Sequence, residues 1–157
     1  MALDARVYCN CFEAGKLLIP PPHPDQVYVA EDGGLACKDL FRLYEFEEWL
    51  EKYACSHPGG VALHHHLGGL GVIDFLREEL ERAPNDFPLL LGKVVYDGSH
   101  AGDFLAMAEL KELLAETIRL SGLRTSDGEE EALLRNFERQ LKELITCAIQ
   151  MRKPIVF

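Results

Sequence analysis

The chain has 157 residues, 48% of them apolar and 27% charged, which is the composition of one globular domain spanning residues 1–157. Its net charge of -10 disfavours nucleic acid and anionic membranes as partners and favours a basic protein. No apolar run reaches the roughly 18 residues of a membrane span. The first residues also lack a secretory pattern, so we expect a cytoplasmic protein with free cysteines.

The first third of the chain predicts strands, a proline segment and one helix. Residues 6–12 are rich in β-forming side chains and show no helical period, which predicts a strand. Four prolines in residues 19–24 keep that segment extended. Residues 26–30 and 35–38 flank the turn sequence EDGG and predict a hairpin. Apolar side chains at three- and four-residue steps then predict a helix over 39–55.

The rest of the chain predicts three helices and two strands. Helical spacing indicates helices over 67–83, 106–120 and 126–151. The apolar run 89–96 predicts a central strand covered on both faces, and 154–157 predicts a short terminal strand. Together these elements predict an α+β fold, with a small mixed or antiparallel sheet packed by about four helices.

The stretch VALHHHLGGLG, residues 61–71, contains three adjacent histidines. His64 and His66 would share one face of a strand, and with His100 they are candidate metal ligands. Further candidate metal ligands, more distant in the sequence, are Cys55, His57, Asp97 and Asp103. We favour a packing role, in which the triplet marks the entry of a tightly packed helix with one imidazole inward and the others at the rim. We therefore expect no cofactor.

The loop DGSHAGD, residues 97–103, follows the predicted central strand, where α/β proteins often place ligand sites. His100 and Asp103 could meet His64 or His66 there. These four side chains are the catalytic candidates of an alternative hypothesis, a small metal-dependent or histidine-based hydrolase. The interpretation we favour is a turn in which Asp and Ser side chains cap the next helix.

The cysteines allow two kinds of chemistry. The sequence Cys9-Asn10-Cys11 could supply two thiolates to a metal, but no second cysteine pair accompanies it, which favours buried free cysteines. Cys55 lies two residues before His57, and Ser99 lies beside His100. Either pair could act as nucleophile and base, although neither stands in a nucleophile-elbow pattern.

The acidic run Glu129, Glu130 and Glu131 opens the long C-terminal helix. Ser126 and Glu129 have the spacing of a capping box, which places the run in the first helical turn. Negative charge is favourable there because of the helix dipole. The run is also the densest in the chain and is our candidate partner-binding surface.

The segments VYCNCFEAGKL, PPPHP, LHHHLGGLG, KVVYDGSHAGDF and KPIVF together resemble a loose group of small bacterial proteins. This resemblance implies no catalytic residues. In size, acidity and lack of enzyme motifs the chain also resembles cytosolic immunity proteins, which neutralise a toxin by binding it. The leading hypothesis is a non-enzymatic protein-binding module of this type with a basic toxin as partner. Self-association as a homodimer stays open.

Overall fold

A four-stranded antiparallel sheet lies at the centre of the computed structural model, which describes residues 2–100 and 102–157. The strands are β1 (Ala2–Tyr8), β2 (Val27–Val29), β3 (Leu35–Cys37), β4 (Val61–Gly69), β5 (Phe104–Leu105) and β6 (Ile155–Val156). The α-helices are α1 (Leu43–Lys52), α2 (Leu70–Glu81), α3 (Leu110–Leu120) and α4 (Gly128–Met151). The sheet order is β4-β1-β6-β5, and β2 and β3 pair as a separate hairpin. The predicted α+β class is confirmed.

The main core lies between the sheet and the helices, and every second residue of β1 points into it. Leu3, Ala5 and Val7 are buried, whereas the residues between them face outward or are half-buried. The apolar stripe of α4 packs on this side together with α2 and α3. Gln140 on α4 donates from Nε2 to the backbone oxygen of His66 at 2.9 Å, which fixes the helix against β4.

Residues 89–96 do not form the predicted strand. A π-helical turn occupies Leu90–Val94 instead. The carboxylate of Glu116 accepts hydrogen bonds from the backbone nitrogens of Leu89 and Leu90, both at 2.8 Å, and so satisfies donors at the start of this turn. The strand prediction failed because a short, continuous apolar run has no periodicity that separates a buried strand from a buried helical segment.

The histidine triplet lies in the middle of β4 and not at a helix entry, which corrects the packing interpretation. β4 pairs with β1 along its whole length before α2 begins at Leu70. His65 points toward α4, where its Nε2 lies 2.7 Å from Oε2 of Glu143 and 17% of its side chain is exposed. His64 and His66 lie on the other face, with 55% and 58% exposed. The expectation of one inward imidazole is confirmed.

The long helix α4 has the predicted extent but a different cap. Asp127 is the N-cap, and its Oδ1 accepts from the backbone nitrogens of Glu129 and Glu130 at 2.8 and 3.1 Å. The N-cap is therefore one residue after Ser126, and the predicted capping box is wrong. A carboxylate at the N-cap is favoured because it interacts with the helix dipole as well as with the free backbone nitrogens. Within the described residues, neither α4 nor any other helix is long and apolar enough to cross a membrane.

Residues 12–54, which we call the small lobe, carry a second apolar core. The lobe contains the β2–β3 hairpin and α1, and the side chains buried in its core are Phe46, Trp49 and Ala54. Lys153 ties the lobe to the C-terminal segment. It is 3% exposed, contacts the carboxylate of Glu13 and donates to the backbone oxygen of Gly33 at 2.7 Å. A core this small needs such cross-links for stability.

Candidate metal centre

Three cysteines and one histidine converge at the end of β1. The Sγ atoms of Cys9, Cys11 and Cys55 and one ring nitrogen of His57 all lie within 4.8 Å of one another. We call these four residues the Cys3His cluster. Within residues 2–100 and 102–157, no other group of three or more histidine, cysteine or acidic side chains is placed to hold a metal ion in this way.

The pairing of β1 with β4 brings the two halves of the cluster together. The first two ligands follow Tyr8, the last residue of β1, and the other two precede Val61, the first residue of β4. Tyr8 and Val61 are partners in the antiparallel ladder. The backbone nitrogen of Cys9 also donates to the oxygen of Gly60 at 2.8 Å, which extends the contact between the two segments.

Two turns, one after Cys11 and one after His57, position the ligand side chains. The backbone oxygen of Cys11 accepts from the nitrogen of Lys16 at 2.8 Å, which folds the chain back after the first pair. After His57, Gly59 and Gly60 have φ values of 62° and 70°, in the left-handed region that glycine adopts without strain. A side chain at either position would strain the turn that returns the chain to β4.

The atomic separations fit a tetrahedral zinc site. With Zn–S bonds of about 2.3 Å and a Zn–N bond of about 2.0–2.1 Å, tetrahedral angles give S–S edges of about 3.8 Å and S–N edges of about 3.5 Å. The Cys9 and Cys55 sulphurs are 3.8 Å apart, and Cys11 Sγ lies 3.5 Å from Nδ1 of His57. Cys55 Sγ lies 3.9 Å from the same nitrogen. These three of the six donor–donor separations therefore match a zinc coordination sphere, and all six are within 4.8 Å.

Burial favours the neutral thiol form of Cys9 and Cys11 unless a cation lies between them. Burial, with the neighbouring thiols Cys9 and Cys55, raises the pKa of Cys11 to about 12, and burial also raises the pKa of Cys9. The backbone nitrogen of His57 donates to Cys55 Sγ at 3.4 Å. A divalent ion reverses the effect of burial, because a coordinated thiol is deprotonated outright.

Four protein ligands make a closed site. Structural zinc sites use four protein ligands, whereas catalytic sites keep one position open for water or substrate. Cys11, the thiol 3.5 Å from the imidazole nitrogen, is 6% exposed, whereas the thiol of a nucleophile–base pair must be accessible to substrate. The arrangement is thus suited to holding two chain segments together, and not to attacking a substrate.

Two of the predicted histidine candidates, His64 and His66, share one acidic partner. Oδ1 of Asp4 lies 3.5 Å from His64 Nε2 and 3.0 Å from His66 Nδ1, on the exposed face of the sheet. His100 and Asp103 belong to a different group, in which the Tyr96 hydroxyl donates to the Asp103 carboxylate. The contacts of the four catalytic candidates therefore fall into two groups.

The second group is held by an aromatic contact. The rings of Tyr96 and His100 have centroids 4.2 Å apart, and Nδ1 of His100 lies 3.7 Å from Oδ2 of Asp103. The hydrogen bond to Asp103 raises the pKa of Tyr96. The Tyr96 oxygen also lies 2.6 Å from the backbone oxygen of Ser99, so two acceptors compete for its single proton and hold the loop before β5 close to the ring.

The three glutamates at the start of α4 differ in their exposure and contacts. Glu129 and Glu130 are exposed. Glu131 is half-buried, and its Oε2 accepts from the backbone nitrogen of Thr125 at 3.0 Å while Oε1 pairs with Arg135 at 3.1 Å. The first two glutamates are therefore free to meet a partner, whereas Glu131 already stabilises the loop before the helix.

The cluster has a signal in the sequence, although its second half is not a pair of cysteines. Both halves consist of two ligands separated by one residue, Cys-x-Cys at Cys9 and Cys-x-His at Cys55. Treating histidine as equivalent to cysteine in the second pair gives a complete ligand set. Nothing in the sequence fixes the distance of Cys55 and His57 from Cys9 and Cys11, so the sequence alone predicts only a pool of ligands or a nucleophile–base pair at these two positions.

Comparison of the chain with family models, with curated proteins and with solved structures gives no match. Its function is therefore inferred from the positions and chemistry of its own side chains.

Proposed function

We propose that the chain is a protein-binding module whose small lobe is closed by one Zn²⁺ held by Cys9, Cys11, Cys55 and His57. The observation that carries the proposal is the convergence of four donor atoms within 4.8 Å at the separations of a tetrahedral site. Three sulphurs and one imidazole nitrogen are soft and borderline donors, which favours zinc over the hard cations Mg²⁺ and Ca²⁺.

The ion would stabilise the part of the chain that needs it most. Cys11 and Cys55 bracket the small lobe, whose core buries Phe46, Trp49 and Ala54. Cross-linking the ends of a segment lowers the entropy of its unfolded state, and structural zinc contributes directly to folding. Zinc binding thus supports a lobe that its own apolar core would hold only marginally.

A binding role for the lobe fits its surface and the charge of the chain. The lobe exposes large apolar side chains, including Leu40, Phe41 and Tyr44. The net charge of -10 attracts a basic partner. A bacterial immunity protein that blocks a basic toxin by direct contact is the specific form of this function that we propose.

The hydrolase alternative gains less support. It requires His64, His66, His100 and Asp103 to act on one substrate, but their contacts lie in two groups, around Asp4 and around Tyr96. A general base must lie within hydrogen-bond reach of the proton it removes. The binding hypothesis needs no such shared site.

Metal analysis of untagged protein tests the proposal. Elemental analysis after gel filtration should find about one zinc per chain. The double variant Cys11→Ser/His57→Ala should lose it, whereas Cys37→Ser/Cys147→Ser, which removes two cysteines outside the cluster, should retain it. Absence of bound zinc after reconstitution, or equal zinc in the two double variants, would reject the metal centre.

A further inference from the structure

Exposed apolar surface is concentrated in the small lobe and at its boundary. Of the thirteen large apolar side chains that are exposed among residues 2–100 and 102–157, nine lie between positions 18 and 53. The most exposed are Phe41, Leu40 and Tyr44, at 96%, 79% and 77%. These three residues lie together at the start of α1 and in the short 3-10 turn before it. Exposed apolar patches of this kind are typical of interaction sites.

The patch adjoins a groove with apolar walls and an acidic rim. The groove has a volume of about 330 Å³, its walls include Ile19, Pro20, Trp49 and Tyr53, and its rim carries Glu45 and Glu48. Tyr44 precedes Glu48 by one turn of α1, so the two residues lie on the same side of the helix. The Trp49 indole donates from Nε1 to the backbone oxygen of Ile19 at 2.9 Å, which fixes the proline segment against the helix.

We propose that this groove and the adjoining patch Leu40–Phe41–Tyr44 bind a segment of a partner protein that combines apolar side chains with lysine or arginine. The proposal rests on the protein-binding function inferred above and names the surface and the chemistry of the partner. Apolar side chains of that segment pack against Phe41 and Tyr44, and its cations meet Glu45 and Glu48.

The charge of α1 argues for a basic partner. Residues 39–53 contain five carboxylates, on Asp39, Glu45, Glu47, Glu48 and Glu51, and two cations, on Arg42 and Lys52. The ion pairs that Arg42 and Lys52 form with Glu45 and Glu48, at 3.4 and 3.0 Å, are solvent-exposed and therefore weak. Cations from a partner can replace them, and electrostatic attraction increases the rate of encounter.

The same charge argues against a second copy of this chain as the occupant. In a two-fold dimer each surface meets its own equivalent, so the α1 carboxylates of one copy would face those of the other. Juxtaposed like charges are unfavourable, and here no excess of lysine or arginine on the same surface compensates for them. Dimerisation through this face is therefore an outcome that the experiment must exclude.

Selection from a random peptide library displayed on phage identifies the partner chemistry directly. The bait is zinc-loaded full-length protein whose metal content has been measured. We expect an enriched consensus that contains lysine or arginine beside leucine, phenylalanine or another large apolar residue. A consensus of acidic residues overturns the proposed surface, and failure to enrich any peptide counts against the protein-binding function as well.

Affinity measurements on the best selected peptide then locate the surface. Phe41→Ser/Tyr44→Ser should weaken binding by at least about tenfold, as expected for residues at the centre of an interface. The matched control Leu70→Ser/Ile118→Ser removes two exposed apolar side chains elsewhere and should leave the affinity unchanged. Glu45→Gln/Glu48→Gln should weaken binding and reduce its dependence on salt.

The results separate this proposal from the one on which it rests. If Phe41→Ser/Tyr44→Ser binds the peptide as tightly as the unchanged protein, the surface is wrong and the protein-binding function stands. If analytical ultracentrifugation shows a dimer that this variant converts to a monomer, the occupant is a second copy of the chain and the proposal is overturned. Zinc content measured on the same samples reports the metal centre independently of either result.

Discussion

Cys9 and Cys55 lie 46 positions apart in the chain, and their sulphur atoms are 3.8 Å apart. The separation results from the antiparallel pairing of β1 and β4, in which Tyr8 and Val61 are partners. The ligand set is therefore complete only when these two strands have paired. Because a metal site that is absent from the unfolded chain couples binding to folding, occupancy of the Cys3His cluster should control the stability of the small lobe.

Removal of the metal should loosen the small lobe selectively. Treatment with a strong zinc chelator should increase hydrogen–deuterium exchange in residues 12–54 and leave the buried face of α4 protected, because α4 packs on the main core and not on the lobe core. Mass spectrometry of peptic fragments gives the measurement. Cys37→Ser/Cys147→Ser should respond as the unchanged protein does. Uniform exchange throughout the chain would contradict a local role of the ion.

Cobalt should report the ligand geometry. Co²⁺ added to the metal-free protein should give intense visible absorption of a tetrahedral site and near-ultraviolet sulphur-to-cobalt charge transfer, and zinc should displace it. Cys55→Ser should lower the charge-transfer absorption, because one thiolate is lost. His57→Cys should increase it by adding a fourth sulphur. Weak visible bands typical of six-coordinate cobalt would contradict the closed four-ligand centre.

Glu116 should be essential to the π-helical turn. Its carboxylate accepts from the nitrogens of Leu89 and Leu90, and the residue is fully buried. Glu116→Ala leaves buried donors unsatisfied and should lower the free energy of unfolding by about 1–3 kcal/mol or more. Chemical denaturation measures the loss. The exposed neighbour Glu112→Ala is the control and should change stability by about 0.5 kcal/mol or less.

The pH dependence of stability should also change at Glu116. Burial raises the pKa of Glu116, so the folded protein holds this proton more tightly than the unfolded chain does. The resulting stabilisation is fully present below the unfolded pKa and is lost as the pH rises through the folded value. The stability of the unchanged protein should therefore decrease as the pH rises above the ordinary glutamate pKa of about 4.3. Glu116→Gln should abolish this decrease. An unchanged slope in denaturation midpoints above that pH would contradict the assignment.

Phe137 should contribute strongly to the main core. Its side chain is 1% exposed and lies on the buried face of α4, the helix that apolar spacing predicts over 126–151. Phe137→Ala should lower the free energy of unfolding by about 3–5 kcal/mol, because it removes buried apolar surface and leaves a cavity. Ile149 is 53% exposed on the same helix, and Ile149→Ala is the matched control with a much smaller effect. Similar losses for both variants would be inconsistent with this packing.

Substitutions of the three glutamates in the acidic run should have different effects on stability. Glu129→Gln/Glu130→Gln should change stability by about 1 kcal/mol at most, since the two side chains are exposed and contribute through the helix dipole. Glu131→Ala should cost more, because it removes the acceptor of the Thr125 nitrogen and the partner of Arg135. Thermal unfolding of both variants measures the difference. If partner affinity is unchanged in the first variant, the exposed glutamates do not contact the partner.

Local patterns in the sequence determined much of the fold. Apolar spacing identified α1, α2, α3 and α4, and the EDGG turn identified the β2–β3 hairpin, because amphipathic periodicity and turn chemistry act over a few neighbouring residues. The run at 89–96 was misassigned because its helical form depends on Glu116, a residue more than twenty positions away. Sequence order carries no information about that contact.

Tertiary structure alone brought the four residues of the Cys3His cluster together. The sequence supplied Cys9-x-Cys11 and Cys55-x-His57, and each pair taken by itself is compatible with free thiols. The pairing of β1 with β4 placed the second pair within 4.8 Å of the first, and it brought His64 and His66 to Asp4. The sequence shows which residues can act as metal ligands, because this is a property of residue type. It does not show which of them come together, because that depends on strand pairing between segments that are distant in sequence.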